Sequence, residues 1–321
     1  MIKVIYRDVN EVKIKVLKKE DFREILKIQN ILWIDVVNSD YEEIKLLAAY
    51  LNIKIPSKEE VEEIEISSRY WEEKDYIKIN TYFLIEEKTQ DLSINFVENE
   101  SITFILRRNI LISVRYKELT TFNEVLKKVI INPKMYKNGL YIFADILSIR
   151  IDKDADFLEK LTKEISKLSK YTIAGVDITE EIIETISSYE EINMTIRENL
   201  IDKQRVLSSL LKSYQIPNEL KEEFRIMIKD VASLINYTSF NFDKLTYLQN
   251  TFLGLINLKQ NRIIKVLTVI SVLFAPATLI ASIFGMNFPI PFGESVYSFF
   301  FAVLLILISM LFAYLYFKKL N

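Results

Sequence analysis

The stretch VLTVISVLFAPATLIASIFGMNFPIPFGESVYSFFFAVLLILISMLFAYLYF, residues 266–317, contains a single charged residue, Glu294. On one side of it, Val266–Gly293 gives 28 consecutive uncharged residues. On the other, Ser295–Phe317 gives 23, of which seventeen are Ala, Val, Ile, Leu, Met or Phe. About 20 apolar residues in a helix cross the hydrocarbon core of a bilayer, whereas buried helices of soluble proteins rarely stay uncharged much beyond about 14. Two membrane helices are therefore expected, and a buried core hairpin is the weaker alternative. Pro289, Pro291, Gly285 and Gly293 punctuate the middle of the stretch. They predict that the first helix ends near Phe284–Asn287 and that Phe288–Glu294 forms a tight turn. The spans become 264–285 and 295–317, joined by a loop at 286–294.

Charge orients this hairpin. Lys259, Arg262 and Lys265 precede the first span and Lys318 and Lys319 follow the second, while the loop holds only Glu294. By the positive-inside rule both termini are cytoplasmic and the loop lies outside the cell membrane. Tyr297, Tyr314, Tyr316 and Phe317 fall where an interfacial aromatic belt is expected. Met1-Ile2-Lys3-Val4 leads directly into charged residues, so no signal peptide is expected there.

Hydroxyls inside an apolar helix need a reason. Thr268, Ser271, Ala275, Thr278 and Ser282 are spaced 3, 4, 3 and 4 apart and so share one helix face, which extends backward to Ile264 and Asn261. Small residues on one face suit close helix packing. They equally suit the wall of a conduit made by several copies of that face. Two helices cannot enclose a conduit, so a pore requires a symmetric ring of subunits.

The preceding 265 residues hold nearly all of the charge and form a cytoplasmic body. Runs at Lys3–Tyr6, Glu11–Leu17, Leu32–Val37, Ile77–Ile85, Leu92–Val97, Ser101–Leu106 and Ile110–Arg115 predict strands, with Arg107-Arg108-Asn109 as a hairpin turn. Helices are predicted over Asp40–Leu51 and Thr120–Ile131, and another starts at Pro56-Ser57. Beyond Leu140 the apolar period becomes helical, with one helix ending near Gly175 and a second running from Asp177 to about Tyr214. After Ile216-Pro217-Asn218 nothing breaks the pattern, so one helix is predicted from Asn218 to Phe284, on the order of 100 Å long. Its faces need other helices or other subunits. The layout is an α+β cytoplasmic domain (1–135), a helical hairpin (136–217), a stalk helix (218–263), the two transmembrane helices with their loop, and a basic tail (318–321). Arg69-Tyr70-Trp71 reads as packing. The acidic run Glu59, Glu60, Glu62, Glu63 and Glu65 reads as a solvated helix face, or as a weak divalent-cation site of oxygen ligands.

Composition removes whole classes of function. Without Cys there are no disulfides or thiolate metal sites, and without His there is no Ser-His-Asp triad and no His-ligated zinc. Five glycines, none in a phosphate-cradling spacing, leave no nucleotide-loop motif. A net charge of −2 gives no case for a nucleic-acid partner. An enzyme is not expected, and neither is a resident cofactor.

Phe284-Gly285-Met286-Asn287-Phe288-Pro289, placed between two C-terminal spans, resembles the Gly-Met-Asn signature of the CorA magnesium-transporter family. Asn261–Thr268 is similar to that family's entry into its first span, and Pro276 and Thr278 stand where it usually has Pro and Thr. The resemblance implies a funnel-shaped homopentamer in membrane lipid, with the first span lining the pore and the second outside it. It implies that Gly285, Met286 and Asn287 form the selective mouth, where Asn287 meets hydrated Mg²⁺ through its water shell. Asn261, Ser271 and Thr278 would face the conduit, and Ile264 and Leu267 would form its hydrophobic constriction. Mg²⁺ is then the transported ion and a regulatory ligand. A ring of neutral amides suits an ion that dehydrates reluctantly, and apolar rings gate by dewetting. The chain departs from the pattern at Phe284, where the family often has Tyr. It departs again at Glu223-Phe224-Arg225-Ile226-Met227, where the family's regulatory acids are not reproduced and Asp230 lies a turn further on. Lack of Cys and His argues against soft-metal ligation but permits outer-sphere passage of Co²⁺, Ni²⁺ or Zn²⁺. A non-conducting membrane-anchored scaffold or sensor is the rival from another class.

Overall fold

The computed structural model describes residues 1–9, 11–17, 25, 27–55, 69–87, 96–173, 180–286 and 296–320. The expected turn 288–294, the acidic run at 59–65, the helix start at 56–57, Gly175, Asp177 and Asn287 itself lie outside these residues. Two compact units are present, Met1–Leu248 and Gln249–Asn321.

A mixed seven-stranded sheet organises the first unit. Its strands are β1 (Ile2–Asp8), β2 (Glu11–Leu17), β3 (Ile31–Val37), β4 (Tyr70–Glu72), β5 (Tyr76–Glu87), β6 (Phe96–Arg107) and β7 (Ile110–Arg115), in the order β2-β1-β3-β7-β6-β5-β4. Only β3 and β7 pair in parallel. These central strands are almost wholly buried, which is why both read as continuous apolar runs. The β6–β7 turn has Arg108 at φ 44° and Asn109 at φ 74°, the two positive values that a tight right-twisting hairpin demands.

Alternation sorts the sheet into two faces. Ile34, Val36, Ile105, Ile112 and Val114 pack with Ile44 and Leu47 of α1 (Tyr41–Leu51). That helix is capped by Asp40, whose carboxylate accepts from the Glu43 amide at 2.7 Å. The opposite face carries Trp33 and Phe104, which meet Phe122 of α2 (Thr120–Ile131) and Phe143 of α3 (Gly139–Ile173) at ring separations of 5.1–6.1 Å. Gly139 starts α3 hard against the sheet. A Cβ there would fall 2.2 Å from the Leu111 nitrogen and 2.6 Å from the Leu32 oxygen, so only glycine fits.

β4 is short and covers only Ile77–Ile79 of β5. Beyond Asn80, the outer edge of β5 is closed by charged side chains of α3 and of α4 (Glu180–Lys212). Asp202 accepts from the Tyr82 amide (3.3 Å), Lys203 donates to the Tyr82 carbonyl (2.9 Å) and Arg150 donates to the Leu84 carbonyl (3.0 Å). Arg150 and Lys203 both pair with Asp154, the latter at 2.9 Å, and all three are buried. Burial among these cations pushes the Lys203 ammonium pKa down despite Asp154.

One expectation changes here. Of the expected strand Leu92–Val97, residues 92–95 lie outside the described residues, and its last two join Ser101–Leu106 in β6, which runs unbroken from Phe96 through the polar Glu98-Asn99-Glu100, held by its ladder to β5 and by Asn199 donating to Asn99 (2.6 Å). Tyr70 and Trp71, read as packing, pack as part of β4, with Lys78 over the Trp71 ring.

α5 (Asn218–Phe284) is the single 67-residue helix that the sequence predicts. Within the first unit its buried residues include Leu220, Phe224, Met227, Val231, Leu245 and Leu248, the spacing of a helix seam. The second unit holds the apolar end of α5 and α6 (Val296–Leu320), whose last turn carries Lys318 and Lys319. Both helices are long and apolar enough to cross a membrane.

Candidate functional site

In the second unit, burial marks one covered face on each helix. On α5 the half-covered positions are Val269, Leu273, Pro276, Ala277, Ile280 and Phe284. On α6 they are Ser298, Ala302, Leu305, Ile306, Ser309, Met310 and Ala313, again at helical spacing. Asn261, Ile264, Leu267, Thr268, Ser271, Ala275, Thr278 and Ser282 are all exposed. From Thr268 onward the stripe falls one or two residues before the covered positions, which is about 100° or 200° around the helix. The small, hydroxyl-bearing face is therefore not the covered one.

The hydroxyls on this face have a defined polarity. Thr268 Oγ1 donates to the Ile264 carbonyl at 2.7 Å and Thr278 Oγ1 donates to the Phe274 carbonyl at 2.9 Å. With each proton held along the helix, the oxygen lone pairs remain to accept from an outside donor. Such a surface suits the hydrogens of water around a cation better than it suits an anion. Ile264, one turn before Thr268, and Leu267, next to it in sequence, are 51% and 62% exposed and present bare apolar side chains. Helix α5 ends at Phe284, after which the Gly285 amide donates to Ala281 (2.9 Å) and the Met286 amide to Ile283 (3.3 Å). Gly285 and Met286 are exposed, and Asn287 would follow directly.

Carboxylates also gather in the first unit. A groove of about 460 Å³ between α3 and α5 is lined by Asp145, Glu219, Glu223 and Asp230 with Tyr136, Lys137 and Tyr141. Glu219 accepts from Lys137 (2.8 Å) and from the Tyr141 hydroxyl (2.7 Å), and Asp145 from Lys128 (3.2 Å) and Tyr136 (2.7 Å). Partial burial, then the charges of Glu219 and Asp145, raise the Glu223 carboxyl pKa. Among the described residues, no three acidic side chains converge as a metal site.

A mixed-sheet domain is followed by one very long helix, whose apolar end carries an acceptor-lined stripe, and by a second apolar helix, both long and apolar enough to cross a membrane. Residues 29–319 match the model of the CorA-like Mg2+ transporter protein family. The chain is 39% identical over 295 residues to the magnesium transport protein CorA of Wolinella succinogenes, covering 90% of each chain. It is 30% identical over 309 residues to that of Escherichia coli, covering 95% of this chain and 96% of the relative. The fold is similar to the complete CorA magnesium transporter of Methanocaldococcus jannaschii, with a TM-score of 0.78 at 20% identity, over 100% of this chain and 98% of that one. It is also similar to the ZntB cytoplasmic domain of Vibrio parahaemolyticus, with a TM-score of 0.56 at 13% identity over 81% of this chain and 97% of that one. The chain belongs to the CorA-like Mg2+ transporter family.

Proposed function

We propose that this chain carries divalent cations, Mg²⁺ foremost, across the cell membrane through a conduit formed by a ring of copies. In this reading the ring is a funnel-shaped homopentamer, both termini are cytoplasmic, and the 264–285 and 295–317 spans form an inner and an outer ring in lipid. Gly285, Met286 and Asn287 make the outer mouth, and Asn287 holds the hydrated ion through its waters. Asn261, Thr268, Ser271, Ala275, Thr278 and Ser282 line the path, and Ile264 and Leu267 narrow it. Mg²⁺ is the cargo and also a regulatory ligand. The observation that carries the reading is the exposed stripe beside the covered face of α5, in a chain of this family. Its acceptor oxygens can hydrogen-bond the waters of an ion that keeps its hydration shell. A transporter of this kind needs no catalytic residue.

Purified chain in proteoliposomes tests this, with Mg²⁺, Co²⁺, Ni²⁺ and Zn²⁺ flux measured in parallel and native mass measured in detergent. Mg²⁺ entry by a fivefold assembly is the expected result. Preference for Zn²⁺ would reassign the cargo, a stable monomer would remove the conduit, and an oligomer that passes no ion would make the chain a scaffold. Leu267→Asn is expected to raise divalent leak in an assembled protein, because a ring of amides keeps a narrow apolar neck wet. Unchanged leak would take Leu267 out of the neck.

A further inference from the structure

The buried seam of α5 is apolar except at one level. Val231 lies before that level and Leu245 after it, while Thr238 and Asn241 within it are fully buried. Side chains from two other helices converge there. From α4, Asn193 Nδ2 donates to the Thr238 carbonyl (2.9 Å), and Arg197 reaches the Ile235 carbonyl (3.2 Å), Thr238 Oγ1 (3.0 Å) and Ser239 Oγ (2.6 Å). From α3, Thr162 Oγ1 accepts from Asn241 Nδ2 (2.9 Å), and one turn on Ser166 Oγ accepts from Lys244 (2.9 Å). Asn193 Oδ1 is buried with no donor.

An apolar seam with a repeat of three and four residues fits its neighbours nearly as well after a slip of one turn. Polar rungs do not, since a slip strands buried donors and acceptors. A polar residue in a helix seam that fixes register at some loss of stability is the best-attested use of such groups. The orphaned Asn193 oxygen is that loss made visible: the layer is not optimised for stability.

We propose that this layer is a register lock. It fixes the axial setting of α5 on α3 and α4, and Asn193, Arg197, Thr238 and Asn241 are positioning residues for the helix that continues to Phe284. The step from register to ion flow rests on the transport reading above.

The chain lacks Cys, so introduced pairs report register directly. Ser166→Cys with Lys244→Cys probes the observed setting, and Ser166→Cys with Leu248→Cys probes a slip of one turn. Both pairs are placed in the native layer and in an apolar layer, Asn193→Leu/Thr238→Val/Asn241→Leu. The apolar layer leaves Thr162 bonded to the Leu158 carbonyl and Arg197 to Ile235 and Ser239. Expected slipped-pair cross-linking rises from under about a tenth of the in-register yield in the native layer to about half of it in the apolar one. The apolar variant should melt no lower than the parent, yet its Mg²⁺ flux in proteoliposomes should change severalfold. If the variant fails to fold, Asn193→Leu alone is read the same way. A folded variant that cross-links only in register overturns the lock, and a slipped register with unchanged flux overturns its bearing on transport. If the parent chain passes no divalent ion, the transport reading falls while cross-linking still decides the lock.

Discussion

In an uptake assay, Asn287→Ala lowers Mg²⁺ entry at least about a hundredfold while the protein still assembles. The expectation follows from repetition. Asn287 comes three residues after the end of α5. Its amide oxygen is proposed to accept from the waters that Mg²⁺ keeps. Each such bond contributes about 0.5–1.5 kcal/mol net. A ring of about five losing them together weakens capture by several kcal/mol, or orders of magnitude in occupancy. In the proposed conduit the acceptor oxygens of Thr268 and Thr278 lie deeper along the helix and could not compensate, because the ion would have to enter before meeting them. Asn287→Asp moves the other way on binding: a ring of carboxylates holds the cation more tightly and releases it slowly, so flux falls although binding rises. Wild-type uptake by an assembled Asn287→Ala protein would remove the residue from the selective mouth.

Local patterns made much of this molecule readable. The uncharged runs, the bounds of α5 at Asn218 and Phe284, and the extents of β7 and α2 follow from period, capping and breakers carried by the segments themselves. The spacing that puts Thr268, Ser271, Thr278 and Ser282 on one face is local too. Which face is covered is not, because that depends on tertiary packing. β4 escaped for the same reason: three residues gain strand character only by pairing with Ile77–Ile79. Thr238 and Asn241 could have been noticed as the polar step in an otherwise apolar seam, but their partners on α3 and α4 lie 41 to 79 residues away. Nothing in the local pattern distinguishes the charges of Arg150, Asp154, Asp202 and Lys203 from those of a helix surface. Only the short β4 explains them, since it leaves the edge of β5 for side chains to close.

That buried cluster carries the second large effect. Asp154→Ala is expected to destabilise the sheet domain by about 3–5 kcal/mol, because removing one partner leaves the others charged and buried. Arg150 and Lys203 would face each other with no carboxylate between them. Against a typical total of about 5–15 kcal/mol, this brings the domain close to unfolding. The pH dependence has a definite sign. The folded-state pKa of Lys203 already lies below its unfolded value, so in the window between them the unfolded chain binds more protons and stability rises with pH. Asp154 is the main group raising that pKa, and its loss depresses the pKa further and extends the window toward neutrality. The deficit of Asp154→Ala relative to the parent should therefore shrink with rising pH over the range in which Lys203 is neutral in the folded variant and still charged in the folded parent. Adding Lys203→Met to Asp154→Ala should recover part of the loss even at neutral pH, since one buried cation is then gone. Urea melts of the full-length protein in detergent, followed by tryptophan fluorescence of the buried Trp33, measure all three. A double variant no more stable than Asp154→Ala would mean that the like charges of Arg150 and Lys203 are not what destabilises it.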